Sequence, residues 1–124
     1  FFKQKTAYEI LIGLVGSGVQ IELVSGAVPL FDQVLDMARL GIIPAGSYRN
    51  QDFFGPRVAA DDDLEPGMLD ALYDPQTSGG LLIAAPAKDV DELARRLDAE
   101  GRIAAVVGRV CEAELGGPAV RVVR

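Results

Sequence analysis

The 124-residue chain has no histidine, no tryptophan and one cysteine, Cys111. Without histidine there is no imidazole to act as a base or bind a metal, and one thiol makes neither an internal disulfide nor a zinc cluster. A reducing, cytoplasmic setting is the simplest expectation. No run reaches the roughly 18 apolar residues that cross a bilayer, and the first residues lack the basic, apolar and small-residue layout of a signal peptide. Positive charge is also scarce. Twelve basic residues face eighteen acidic ones, a net charge of -6, so the summed field repels phosphate backbones and anionic lipid. Neither nucleic acid nor a membrane is an expected partner.

What the chain does have is apolar content, 49% of its residues, enough for one domain with a core that needs no staples. Val19-Gln20-Ile21-Glu22-Leu23 alternates with period two, as a half-buried strand does. Phe31, Val34, Leu35 and Ala38 share one helical face, which predicts a helix over 31–40 that Gly41 ends. The stretch from Gly41 to Pro56, punctuated by Pro44, Gly46 and Gly55, reads as an irregular loop. A short strand over 57–60 follows, and then a helix reaching about Tyr73 with Asp61-Asp62-Asp63 and Pro66 at its start.

Leu81-Leu82-Ile83-Ala84-Ala85 is a continuous apolar run between Gly80 and Pro86, the pattern of a central strand buried on both faces. Next is an amphipathic helix with Asp89 as its cap and Val90, Leu93, Ala94 and Leu97 as its stripe, ended by Gly101. Two strands, 104–110 and 119–123, are joined through Gly116-Gly117-Pro118. This order predicts an α+β fold, a mixed β-sheet with packed helices. A purely parallel sheet is not expected, because the last two strands are joined by a short turn.

Few residues suggest chemistry. Thr77-Ser78-Gly79-Gly80 reads either as an anion-binding nest of backbone N–H groups with added hydroxyls or as a tight helix-to-strand turn. It lacks the lysine and spacing of a Walker loop. Asp61, Asp62, Asp63 and Glu65 read as magnesium ligands or, more simply, as solvated charges capping a helix. Cys111 has no histidine to lower its pKa and reads as a small core or edge side chain. Tyr48-Arg49-Asn50 offers a cation and an amide that either meet a phosphate or tie the loop to the sheet.

Asp74-Pro75-Gln76-Thr77-Ser78-Gly79-Gly80-Leu81-Leu82-Ile83 resembles the signature of the C-terminal domain in the selenophosphate synthetase (selenide, water dikinase) family. Gly41-Ile42-Ile43-Pro44-Ala45-Gly46-Ser47-Tyr48-Arg49-Asn50 resembles a second stretch of that family, upstream at the expected distance. The similarity runs from about Gly18 to the C-terminus. Residues 1–17 instead resemble translated sequencing-adapter DNA, with a native basic helix start as the alternative, so the expected division is 1–17 outside the domain and 18–124 within it.

The resemblance implies a fold of the aminoimidazole-ribonucleotide (AIR) synthetase C-terminal type, layered α-β-α with partial likeness to ferredoxin-like folds. It implies a parent enzyme that converts selenide, ATP and water to selenophosphate, AMP and phosphate with Mg2+, usually as a homodimer. The reactive cysteine or selenocysteine, its lysine and the metal-binding aspartates of the family belong to the N-terminal half. None of those motifs is present, so the chain alone is expected to be inactive and to hold no catalytic or metal residue. ATP and selenide are expected to be met through the N-terminal domain. Asn50, Asp74, Gln76, Thr77, Ser78, Gly79 and Gly80 are the residues expected to face or support the ATP cleft. Ala45 stands where the family commonly has glycine, which questions any positive φ there. The alternatives are another ATP-dependent enzyme of the AIR synthetase type, or a non-catalytic α+β module for assembly or ligand sensing.

Overall fold

The structure, a computed structural model, describes residues 18–76 and 80–124. The period-two segment forms β1 (Val19–Val24), with Ile21 and Leu23 buried and Gln20 and Glu22 half-buried. Beside it, β3 (Gly108–Glu112) runs antiparallel with Ile21 opposite Val110, and β4 (Val120–Val123) runs parallel with Leu23 opposite Val122. The short β2 (Val58–Ala60) pairs parallel to β4, so the order is β2-β4-β1-β3. The sheet is mixed, as expected. The last two strands nevertheless flank β1 and do not pair with each other, so the Gly116-Gly117-Pro118 segment crosses the end of β1. Gln20 Nε2 holds that crossing by donating to the Pro118 carbonyl at 2.8 Å.

Alternation on β4 puts Val120 and Val122 at 0% exposure while Arg121 faces solvent. With Leu23 and Ala119 they form the core, against which Val58, Leu69 and Leu72 pack. Across the register pair Glu22 and Arg109, an ion pair of 2.8 Å closes the outer face of β1 and β3.

Helix α1 (Val34–Arg39) is shorter than the expected 31–40. Phe31, counted in the predicted stripe, lies outside the helix and is 87% exposed, while Ala38 is buried. Gly41 adopts a left-handed φ of 73°, its N–H donating to the Ala38 carbonyl and that of Ile42 to Met37, both at 2.9 Å. Gly101 ends the later helix α4 (Ala87–Ala99) with the same pair of bonds, to Asp98 and Leu97. The glycine stops read from the sequence therefore work as backbone caps that a side chain would strain.

Two expectations about elements are corrected. Residues 41–56 are not a loop, because Ala45–Phe54 forms helix α2, with Pro44 as its N-cap and Gly55 just after its end. The breakers lie almost wholly outside the helix, and only Gly46 falls inside it. Leu81–Ala85 is not a central strand: the central positions are taken by β1 and β4, and Leu81 is 85% exposed. The apolar composition here brings neither pairing nor full burial, since no residue of 81–85 lies in a strand or is buried, and no residue of α4 is fully buried either.

The capping readings also change. Pro86 is the cap of α4, and Asp89 sits in its first turn, where its charge still suits the helix N-terminus. Helix α3 (Met68–Leu72) starts after Gly67, too far along for the aspartates to cap it. Asp61 faces Arg121 at 3.8 Å, Asp63 faces Arg124 at 3.3 Å and Glu65 pairs with Arg39. Three carboxylates with three separate arginines do not make one magnesium site.

Truncating Val122 to alanine leaves a cavity between fully packed strands and is expected to cost about 2–3 kcal/mol. The same truncation at the exposed Val110 should cost less than about 0.5 kcal/mol. Urea unfolding of both variants checks this through a lowered midpoint at unchanged slope for Val122→Ala only.

Candidate functional site

The site expected from the sequence begins where α3 ends. Tyr73 is the C-cap of α3, so its carbonyl is one of the helix-end acceptors left without an intrahelical donor. Asn50 Nδ2, from the middle of α2, donates to that carbonyl at 2.8 Å. A bond of this kind is worth about 1 kcal/mol net, and an unfilled buried acceptor costs more. Asn50 is thus tied to the end of another helix, not to the sheet.

One turn before Asn50 stands Gly46, and one turn after it stands Phe54. A Cβ built on Gly46 would lie 2.5 Å from Pro75 Cγ, so the helix backbone touches the proline ring directly. Phe54 and Tyr73 are buried together at 7% and 4% exposure and form a second small core with Val58, Leu69 and Leu72 around it. Positions 46, 50 and 54, four apart on one face of α2, therefore meet Pro75, the Tyr73 carbonyl and the Tyr73 ring in succession. Phe53 adds an edge-to-face contact with Phe54, at a centroid distance of 4.8 Å.

The far side of this contact is equally constrained. The Asp74 N–H donates to Ala71 at 3.3 Å, and the Gln76 N–H reaches back to the Asp74 carbonyl at 2.9 Å, closing a three-residue turn around the fixed φ of Pro75. Asp74 is half-buried, while Gln76 and Gly80 are exposed. Gly80 has open space around it and no left-handed φ. Thr77, Ser78 and Gly79 lie outside the described residues.

The structure thus joins Asn50 to the segment containing Asp74 and Gln76, and it brings together the two stretches singled out in the sequence. Arg49 and Tyr48 stay on the exposed side of α2. Gly46 and Tyr73 belong to the contact and were missed. The signal was present in the spacing of four between Gly46, Asn50 and Phe54, but only one of the three is apolar. Ala45 opens the helix without a left-handed φ, so glycine is not required there; close approach makes its demand one residue later. Cys111 is a half-buried thiol on the outer strand β3, as an edge side chain should be.

Burial raises the pKa of Tyr73 above its ordinary value of 10.0. Glu92, remote in sequence on α4, is held below the usual carboxylate range by hydrogen bonds from Arg95 and Arg96. Ser47 sits on α2 with its hydroxyl buried and without a hydrogen-bond partner among the described residues, a cost of about 1–3 kcal/mol.

Two tests of fit bear on a nucleotide and its metal. Among the described residues no three acidic or thiol side chains converge to hold a cation. The described part of the 74–80 segment carries one carboxylate and one amide but no cationic group to meet phosphate.

Residues 12–120 match the sequence model of the AIR synthase related protein, C-terminal domain. The chain belongs to that family. This AIR synthase C-terminal domain is 43% identical over 100 residues to selenide, water dikinase 2 of Peptoclostridium acidaminophilum, covering 80% of the chain and 28% of the relative. It is 41% identical over 103 residues to selenide, water dikinase of Pelobacter propionicus, covering 82% and 30%. With the enzyme of that name from Trichlorobacter lovleyi the identity is 51% over 70 residues, covering 56% and 20%. The domain therefore spans about three-tenths or less of the length of these relatives. The α+β mixed sheet with helices agrees with the family, and no described helix is long and apolar enough to cross a membrane.

Because the folded pKa of Tyr73 is raised, its contribution is fully present below pH 10.0 and is lost as pH rises beyond that value, where the unfolded chain ionises first. Urea midpoints measured from about pH 9 to about pH 11 should fall more steeply for the parent chain than for Tyr73→Phe. Equal alkaline slopes would contradict a buried neutral phenol.

Proposed function

We propose that the chain is the C-terminal domain of a selenophosphate synthetase, a selenide, water dikinase whose parent makes selenophosphate from selenide, ATP and water with release of AMP and phosphate. The observation that carries this reading is the similarity to selenide, water dikinases over about four-fifths of the chain, beside two resembling stretches that meet in the structure where Gly46 lies against Pro75.

In this reading the domain closes one wall of the ATP cleft. Asn50, Asp74, Gln76 and Gly80, with Thr77, Ser78 and Gly79, face or support that wall. Magnesium and the reacting groups are supplied by the N-terminal part of the parent, since the described carboxylates are already engaged by arginines or stand apart. The parent is cytoplasmic and works as a homodimer. Residues 18–124 make up the body of the domain, and the family match reaches back to residue 12.

A chimera tests the proposal. Residues 18–124 would replace the matching C-terminal portion of the Peptoclostridium acidaminophilum enzyme, with selenide-dependent AMP formation as the readout. Turnover well above that of the same enzyme without a C-terminal portion is expected, and none from the 124-residue chain alone. A folded chimera with no such turnover, or an isolated chain that forms AMP, would overturn the assignment.

A further inference from the structure

We infer that Gly46 and Asn50 are positioning residues for the segment that starts at Asp74, acting on a ligand only through where they hold that segment. The inference rests on the reading of 74–80 as a cleft wall, but its geometry stands independently. Asn50 has committed one of its two amide N–H bonds to the Tyr73 carbonyl, so that donor is not offered to a ligand while the bond is intact. Gly46 contributes no side chain at all. Its role is to let Pro75 seat against the α2 backbone, closer than any Cβ permits.

The two contacts fix two successive features. Asn50 sets where α3 stops, and Gly46 sets where Pro75 lies one turn along the same helix face. Between them the chain direction is closed by the bond from the Gln76 N–H to the Asp74 carbonyl. Three restraints within four residues hold the 73–76 backbone, and Asp74 and Gln76 take their directions from it. Phe54 against Tyr73 anchors the same helix face in the core, so α2 cannot shift to relieve a clash at Pro75 without losing that packing.

The sign of a double-substitution cycle in the 124-residue chain tests this. A helical glycine with open space gains stability on substitution by alanine. Gly46→Ala should instead lower the melting temperature and move the amide resonance of Gln76. Pro75→Gly removes all three ring atoms that the new Cβ would meet, so in that background Gly46→Ala should raise the melting temperature. If Gly46→Ala alone does not fold, recovery of folding in the double variant supports the inference equally. A gain in both backgrounds, or a double variant that also fails to fold, overturns it.

Asn50→Asp supplies the second arm, because it keeps the side chain's shape and removes the N–H donor. Hydrogen exchange at the Gln76 amide should become roughly tenfold faster relative to the Val122 amide. An unchanged ratio overturns the role of Asn50. In the chimera, turnover should fall with Gly46→Ala and return with Gly46→Ala/Pro75→Gly. A chimera without any turnover, beside an intact sign reversal in the isolated chain, defeats the proposed function and leaves the positioning role supported.

Discussion

The hydrogen bond from Asn50 Nδ2 to the Tyr73 carbonyl satisfies the end of one helix with the side of another, and the site depends on that junction. α3 is only five residues long and could not hold its own C-terminus in place by intrahelical bonds. α2 supplies what α3 lacks, with Phe54 anchored in the core beside Tyr73, Asn50 on the carbonyl and Gly46 beneath Pro75. The sheet contributes indirectly. β2 and β4 set the half-buried Val58 beside the buried Val120, and Val58 is packed against both the main core and the Phe54–Tyr73 cluster.

In the proposed reading, this arrangement lets a domain that is expected to carry no catalytic residue matter to a reaction. Phosphoryl transfer depends on positioning and charge stabilisation, and a wall that is displaced by an ångström degrades both. In the proposed reading the domain's task is to hold a short backbone segment still. Its net charge of -6 fits that division of labour, since the cationic groups and metals that attract ATP would lie elsewhere in the parent.

Much of the fold was legible in the sequence because its signals are local. Period two gave β1, and Gly41 and Gly101 marked the helix ends through a backbone conformation that glycine adopts freely. What could not be read was pairing. The Leu81–Ala85 run has the composition of a central strand, yet β1 and β4 occupy that place, and β3 and β4 are separated by a strand from the other end of the chain. Helix α2 was hidden for a different reason. Its inward face carries glycine, serine and asparagine beside one phenylalanine, so contacts to backbone replace the apolar stripe by which a helix is usually found. The family stretches were legible as wording, whereas the junction between them needed coordinates.

The most direct test of the account is the hydrogen exchange of the Asn50 side-chain amide, followed by NMR in the unmodified chain. A proton held between Nδ2 and the Tyr73 carbonyl should exchange far more slowly than the side-chain amide protons of the exposed Gln51 next to it. If the Asn50 protons exchange as fast as those of Gln51, the junction is not formed in solution and the positioning account fails.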